Sequence, residues 1–374
     1  MEFTQERLEN LKEKLIAKMR YGVKCAQGLD GIPYSVRDGK WTHKHKTWWT
    51  NGFWGAEMWQ MYLMSGDGFF RDEAIRAEEW MDAALNDPQN LHHDVGFMWL
   101  IQSGVRYALE KNADSYDRMF RASHLLAARY NPNGFIRAWN HDGNGWAIID
   151  TMMNLSLLYW ASRAYDDPRF KLMAMRHADT AMKYFVREDG SCNHIVVFDA
   201  ETGEYLDNPR GQGIASGSSW SRGQAWALHG FALSYRNTGR KEYLETSKKV
   251  ADYFISCIKD DPVPKCDFRQ PADEKLYDDA AGAIAASGLI ELAGHLGEKE
   301  GKPYMDAALR ILDAMDSRDA DYTEAAPAIL TKCTGSYHAD DHHIAMNYAD
   351  YFYIEAINKL LGSKLIFWAP DTTV

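Results

Sequence analysis

The feature that most constrains this chain is an alternation between two kinds of helical segment. Apolar residues recur at helical spacing along almost the whole length, as in Leu8, Leu11, Leu15 and Met19. The pattern predicts about twelve helices, starting near residues 4, 51, 71, 95, 113, 150, 169, 222, 241, 278, 301 and 344. Those near 51, 95, 150, 222, 278 and 344 are apolar on most sides and rich in small residues, with Ala280-Ala281-Gly282-Ala283-Ile284-Ala285-Ala286 as the extreme case. A helix apolar all round has to be covered on all sides. The segments between them, such as Arg71–Leu85 and Lys241–Ile258, carry a charged stripe and read as an outer layer.

The connections are asymmetric. Links from a buried segment to the next outer one are short: Lys111-Asn112, Asp166 to Pro168, Gly239-Arg240. Links from outer to buried are mostly long: Gly28 to Thr50, Asn131 to Ile149, Glu188 to Trp220, Ser317 to His343. Six hairpins with buried inner helices and all long loops on one rim describe an all-α (α/α)6 barrel. No Pro/Ser-rich linker or charge block divides the chain, so residues 1–374 are expected to form one catalytic domain. An open solenoid of helical hairpins is the alternative; the unequal repeat lengths favour the closed barrel. Strand-like alternation is scarce, Asn193 to Phe198 being the best case. Function is expected on the long-loop rim, at the N-termini of the inner helices.

Charge and composition exclude several classes. The net charge is 42 − 53 = −11, which disfavours nucleic acid or an anionic membrane as the main partner. No apolar run approaches the roughly 20 residues that span a bilayer, and Met1 to Arg20 has no apolar core of a signal peptide. Cys25, Cys192, Cys257, Cys266 and Cys333 are odd in number with no CxxC pair, so a reduced cytoplasm is the expected compartment. No P-loop, dinucleotide fingerprint, Gly-x-Ser-x-Gly or HExxH is present. Neither metal nor organic cofactor is expected.

Three polar clusters fall on the rim: His92-His93-Asp94-Val95-Gly96-Phe97, Ala147-Ile148-Ile149-Asp150-Thr151-Met152-Met153-Asn154 and Ser219-Trp220-Ser221-Arg222-Gly223-Gln224-Ala225-Trp226. Each has a structural reading. Asp94 and Asp150 suit helix N-caps, and Ser221 with Gln224 forms a capping box. Asp150 lies between two isoleucines and two methionines, where desolvation favours the protonated acid. Asn154 is one turn on and shares its face. Two carboxyls across a cleft are the parts of glycoside chemistry. Trp41, Trp48, Trp49, Trp139, Trp146 and Trp220 lie on the same loops and offer flat faces to sugar rings. The run His338-Ala339-Asp340-Asp341-His342-His343 has metal-ligand residue types but no recognised spacing, and reads as a polar loop. His43 and His45 sit among lysines and are expected to be solvated.

At these clusters the chain resembles the unsaturated glucuronyl hydrolases, glycoside hydrolase family 88. The strings are Trp48-Trp49-Thr50-Asn51-Gly52-Phe53-Trp54, His93-Asp94-Val95-Gly96-Phe97, Ile149-Asp150-Thr151-Met152-Met153-Asn154-Leu155, Ser221-Arg222-Gly223-Gln224-Ala225-Trp226 and Tyr348-Ala349-Asp350-Tyr351-Phe352. The resemblance implies the same (α/α)6 barrel. It also implies a reaction: hydration of the C4=C5 double bond of the unsaturated uronic acid that polysaccharide lyases leave at a non-reducing end. It gives Asp150 the role of the acid that protonates C4 and then assists water attack at C5, with Asp94 as its helper. His194, Gln212, Trp220, Arg222 and Trp226 become candidate substrate contacts, with Trp48 or Trp139 as stacking platforms. Arg222 suits the substrate carboxylate because its fork can bind two oxygens. No cofactor is implied. Family members favouring sulfated fragments carry a Ser- and Lys-containing stretch where this chain has Gly335-Ser336-Tyr337-His338-Ala339-Asp340-Asp341, so unsulfated or differently sulfated substrates are expected.

Competing readings are an unsaturated rhamnogalacturonyl hydrolase or an inverting glycosidase on the same barrel. A sugar epimerase would use a His pair such as His194 and His229. A helical-repeat binding module would leave the two rim carboxylates without a purpose.

Overall fold

A computed structural model describes residues 3–371. All twelve expected helices are present among them. The outer helices are α1 (Gln5–Ala26), α3 (Gly68–Trp80), α5 (Ala113–Ala127), α7 (Pro168–Tyr184), α9 (Lys241–Cys257) and α11 (Glu298–Arg318). The inner helices are α2 (Asn51–Ser65), α4, α6 (Thr151–Ala164), α8 (Ser221–Thr238), α10 (Asp279–Gly294) and α12 (Asn347–Leu360). Helix α4 starts in π geometry over Gly96–Gly104 and continues as α-helix over Val105–Glu110. Inner helices are buried along nearly every position, whereas the outer ones bury a single stripe.

Each inner helix packs on the next, and α12 packs back on α2. The ring is therefore a closed (α/α)6 barrel and not an open solenoid. Helix α1 lies against α12 and α2, so the sixth hairpin is made by the two ends of the chain. Aromatic side chains from four inner helices fill the axis. Phe53 meets Phe97 and Phe352, and Trp226 packs between the same two, with ring centroids 5.1–5.7 Å apart. Trp368, from the C-terminal segment, stacks on Phe352 at 5.8 Å. Asp371 just beyond it pairs with Arg163 in the last turn of α6, so this segment plugs the short-loop end. Aromatic pairs of this kind add about 0.5–1.5 kcal/mol each beyond the area they bury.

The long loops carry short strands. β1 (Pro33–Arg37) and β2 (Lys40–His43) form a hairpin whose turn residues Asp38 and Gly39 both have positive φ, the geometry that an Asp-Gly pair favours. β3 (Tyr130–Asn131) pairs with β4 (Phe135–Ile136). β5 (Trp146–Ile148), β6 (Ile195–Phe198) and β7 (Tyr205–Asp207) form an antiparallel sheet in that order. The expected strand at Asn193 to Phe198 is β6. The remaining strands are too short to show a period in the sequence.

Candidate active site

A cavity of about 590 Å³ opens on the long-loop rim. Strand pairing builds one wall. Trp146, Ala147 and Ile148 of β5 pair with Val197, Val196 and Ile195 of β6, and Ile149 N–H donates to the His194 carbonyl at 3.0 Å. This register sets Asp150, at the junction of β5 and α6, beside His194. Asp150 Oδ2 lies 3.4 Å from His194 Nε2, is buried, and has no hydrogen-bond partner. His194 Nδ1 accepts from the Gln212 backbone N–H at 3.0 Å, so the neutral imidazole carries its proton on Nε2, facing Asp150. Gly211 makes this contact possible. Its φ is +59°, and a Cβ there would lie 2.0 Å from His194 Nδ1.

Asp94 lines the same cavity, from the entry to α4. Asn154 holds it. The Asn154 Nδ2 group donates to Asp94 Oδ1 at 3.2 Å and to the Asp150 carbonyl at 3.3 Å, while its Oδ1 accepts from Phe97 N–H at 2.8 Å. Gly96 lets the two helices meet, since a Cβ there would lie 2.6 Å from Asn154 Oδ1. Burial opposes ionisation of Asp94, but His93, His92 and Asn154 together outweigh it and hold the carboxyl below the ordinary carboxylate range. His92 is pushed down to about 4, chiefly by burial, so its ring is neutral at neutral pH. The two aspartates thus differ: Asp94 is an anion held by donors, and Asp150 has an oxygen without a hydrogen bond, 3.4 Å from His194 Nε2.

Neither aspartate caps its helix. Asp150 occupies the N-cap position of α6 without a side-chain cap bond, and no side chain caps α4. The expected capping box is absent too. Gln224 Oε1 accepts from Cys192 N–H at 2.9 Å and its Nε2 donates to the Gly190 carbonyl at 2.6 Å, while Ser221 Oγ donates to the Cys266 carbonyl. The first turn of α8 is buried, so these side chains brace loops instead of the helix end.

Trp48, Asp94, Trp139, Asp150, His194, Gln212 and Arg222 all reach the cavity, as do Trp49 and Trp146. Trp41, on β2, is buried and donates its N–H to the Gly22 carbonyl. Trp220 is not part of the lining; it lies under His194, with ring centroids 4.3 Å apart. Trp226 is also elsewhere, in the axial core between Phe97 and Phe352. Inner-helix position explains the miss: a Trp one turn into a buried helix points down the barrel.

Arg222 departs from expectation in another way. Its Nη1 donates to Asp278 Oδ2 at 2.5 Å and to the Thr334 carbonyl at 2.7 Å, and Nη2 to the Gly335 carbonyl at 2.6 Å. The guanidinium lies over Trp220. Burial works against its charge, but Asp278 outweighs it and raises the Arg222 pKa. The fork is therefore occupied by the protein, and Arg222 meets the cavity as part of a neutral ion pair.

Sequence reasoning missed Tyr34 and Lys44 at the mouth. The Lys44 ammonium lies 4.9 Å from the Tyr34 ring centroid and 5.2 Å from that of Trp48. His43 and His45 are exposed, as expected. Asp341, Gly335 and Ser336 bring the 335–341 stretch to the cavity. The neighbouring histidines brace that loop: His338 meets the Ile214 carbonyl, His342 those of Ser336 and Tyr337, and His343 Nε2 accepts from Tyr277 N–H. His229 lies in the core against Phe352 and Trp368, far below the ordinary imidazole pKa because it is buried. It forms no pair with His194, which removes the motif an epimerase would need.

A helical barrel whose rim cavity sets two unlike carboxyls among tryptophans has the features of a carbohydrate-active enzyme. Comparison with known proteins gives the family. The chain is 34% identical over 357 residues to the unsaturated glucuronyl hydrolase of Bacillus sp. (strain GL1), covering 91% of this chain and 93% of that one. It is 30% identical over 348 residues to the unsaturated chondroitin disaccharide hydrolase of Streptococcus pyogenes serotype M1, covering 89% and 86%. The chain belongs to the unsaturated glucuronyl hydrolase family and is a hydrolase. The crystal structure of the Bacillus sp. GL1 enzyme, responsible for the degradation of glycosaminoglycan, superposes with a TM-score of 0.91 at 29% identity, over 96% of this chain and 98% of that one. An asparagine variant of such an enzyme with dGlcA-Glc-Rha-Glc gives the same score. An unsaturated glucuronyl hydrolase specific for heparin gives 0.86 at 30% identity, over 93% and 95%. No family model matches the chain. No helix among the described residues is long and apolar enough to cross a membrane.

Proposed function

We propose that this protein removes the 4,5-unsaturated uronic acid from the non-reducing end of lyase-generated oligosaccharides by hydrating the C4=C5 bond. The observation that carries this reading is the Asp150 carboxyl: buried, beside the Nε2–H of His194, and with Oδ2 unpartnered at the cavity. Asp150 delivers its proton to C4, and the developing cation at C5 is stabilised by the ring oxygen. The Asp150 carboxylate then takes a proton from water as its oxygen bonds to C5. The hemiketal opens to a C5 ketone, and the hemiacetal left at C1 expels the aglycone sugar. One water is consumed, and Asp150 recovers its proton.

Asp94 is the fixed anion of the pair. Held below the ordinary carboxylate range, it carries no proton to donate at neutral pH, and it can accept from a sugar hydroxyl. Trp48, Trp139 and Trp146 offer apolar faces to the rings, and Gln212 a polar edge. Asp341 faces the cavity from a stretch without lysine, which favours an aglycone not sulfated at that point. The partner is thus an unsaturated uronate-terminated oligosaccharide, with no part for nucleic acid. Five free cysteines suit a reducing cytoplasm.

Labelled solvent tests the reaction. Turnover in heavy-oxygen water should label the released acid at C5, and turnover in deuterated water should place deuterium at C4, with loss of the conjugated chromophore. Label at the anomeric carbon would mean ordinary glycoside hydrolysis and end this reading.

A further inference from the structure

The cluster His92-His93-Asp94 holds more donor capacity than hydration requires. His92 Nδ1 lies 3.4 Å from Asp94 Oδ2, and His93 Nε2 lies 3.1 Å from Asp94 Oδ1. One ligand atom from each of the three residues falls within 4.8 Å of the others. Bond lengths of about 2.0–2.2 Å to histidine nitrogen and carboxylate oxygen place neighbouring ligands of a tetrahedral zinc about 3.3–3.5 Å apart. His93 Nδ1 is buried with no partner in the protein, and His92 Nδ1 and His93 Nε2 have no polar neighbour but Asp94. Leaving a buried polar atom unmatched costs about 1–3 kcal/mol and calls for an explanation. Two imidazoles and one carboxylate suit zinc, nickel or copper over magnesium or calcium. His92 and Asp94 both line the cavity, so a fourth position would open toward it. Asn154, donating to Asp94 Oδ1, orients the carboxylate from behind.

We propose that His92, His93 and Asp94 form a three-ligand site for a divalent cation of the zinc class, and that the ion competes with substrate by taking Asp94. Zinc is then a reversible inhibitor that shuts the enzyme at its helper carboxylate. The histidine run at 338–343 does not offer the same site, because its three rings are engaged with the backbone.

The binding half is tested without turnover; the competition half rests on the function proposed above. Full-length protein dialysed against chelator is titrated with zinc chloride by calorimetry. One saturable ion per chain is expected. His92→Ala should abolish it and Asp94→Asn weaken it about tenfold or more, while His338→Ala leaves it in place. With zinc at about ten times its measured Kd, the apparent KM for an unsaturated disaccharide should rise about tenfold at constant kcat. Absence of a saturable site would overturn the proposal. So would unchanged binding in His92→Ala with an intact circular dichroism spectrum, or in Asp94→Asn should His92→Ala fail to fold. Inhibition through kcat at constant KM would overturn the competition.

Discussion

Asn154→Asp is the sharpest probe of the site, because it changes one donor into an acceptor at nearly constant shape. The Phe97 N–H keeps an oxygen partner, so the contact between α4 and α6 is preserved. What is lost is the donor 3.2 Å from Asp94 Oδ1 and 3.3 Å from the Asp150 carbonyl, which becomes a second carboxylate oxygen. A hydrogen bond to a charged group is worth about 1.5–3 kcal/mol. At 1.36 kcal/mol per unit, its loss alone raises the Asp94 pKa by about 1–2 units, and repulsion between the two carboxylates adds to that. The sign of the stability change follows. In the wild type the folded pKa of Asp94 is depressed, so its contribution is present above the unfolded value of about 4 and is lost as pH falls through the folded pKa. In the variant the native pair keeps a proton that the unfolded chain has released. Its stability relative to wild type should therefore fall as pH rises from about 4 through the raised pKa. Urea unfolding at several pH values measures this, and the acid limb of the kcat/KM profile should move up by at least one unit. An unmoved acid limb, with kcat/KM within about threefold of wild type, would refute the idea that an ionised Asp94 serves the reaction.

Three further substitutions separate roles. Asp150→Asn should lower kcat by at least about 10²-fold, the usual scale of general acid–base catalysis, with little change in melting temperature because the side chain caps nothing; retention of a tenth of the activity would remove Asp150 from the acid's role. Gly211→Ala should cost about 1–2 kcal/mol for a side chain at positive φ and push His194 away from Asp150, so kcat/KM should fall while circular dichroism stays unchanged. Arg222→Ala should destabilise by about 3–5 kcal/mol, because it leaves Asp278 buried without its cation; a stable variant with only a raised KM would restore Arg222 as a substrate ligand.

The (α/α)6 architecture was legible from the sequence because burial writes a period into it. Helices covered on all sides are apolar all round, and those covered on one side are striped, so Ala280 to Ala286 and Lys241 to Ile258 declare their layers without any tertiary information. The long-loop rim, Asp94 and Asp150 follow from the same alternation. What lies at a rim is different in kind. Whether Trp226 or Trp139 reaches the cavity depends on where one side chain points, from inside α8 in one case and from the loop before β5 in the other, and residue type alone does not tell them apart. Arg222 looked free because its partner, Asp278, is 56 residues away on another inner helix, and burial of both made their pairing obligatory. The His194 tautomer hangs on a backbone N–H of Gln212 that only a glycine at 211 allows to approach. Periodicity reports burial, which each residue carries in its own chemistry; pairing across the barrel is decided only when the ring closes and distant polar groups are left with no water to turn to.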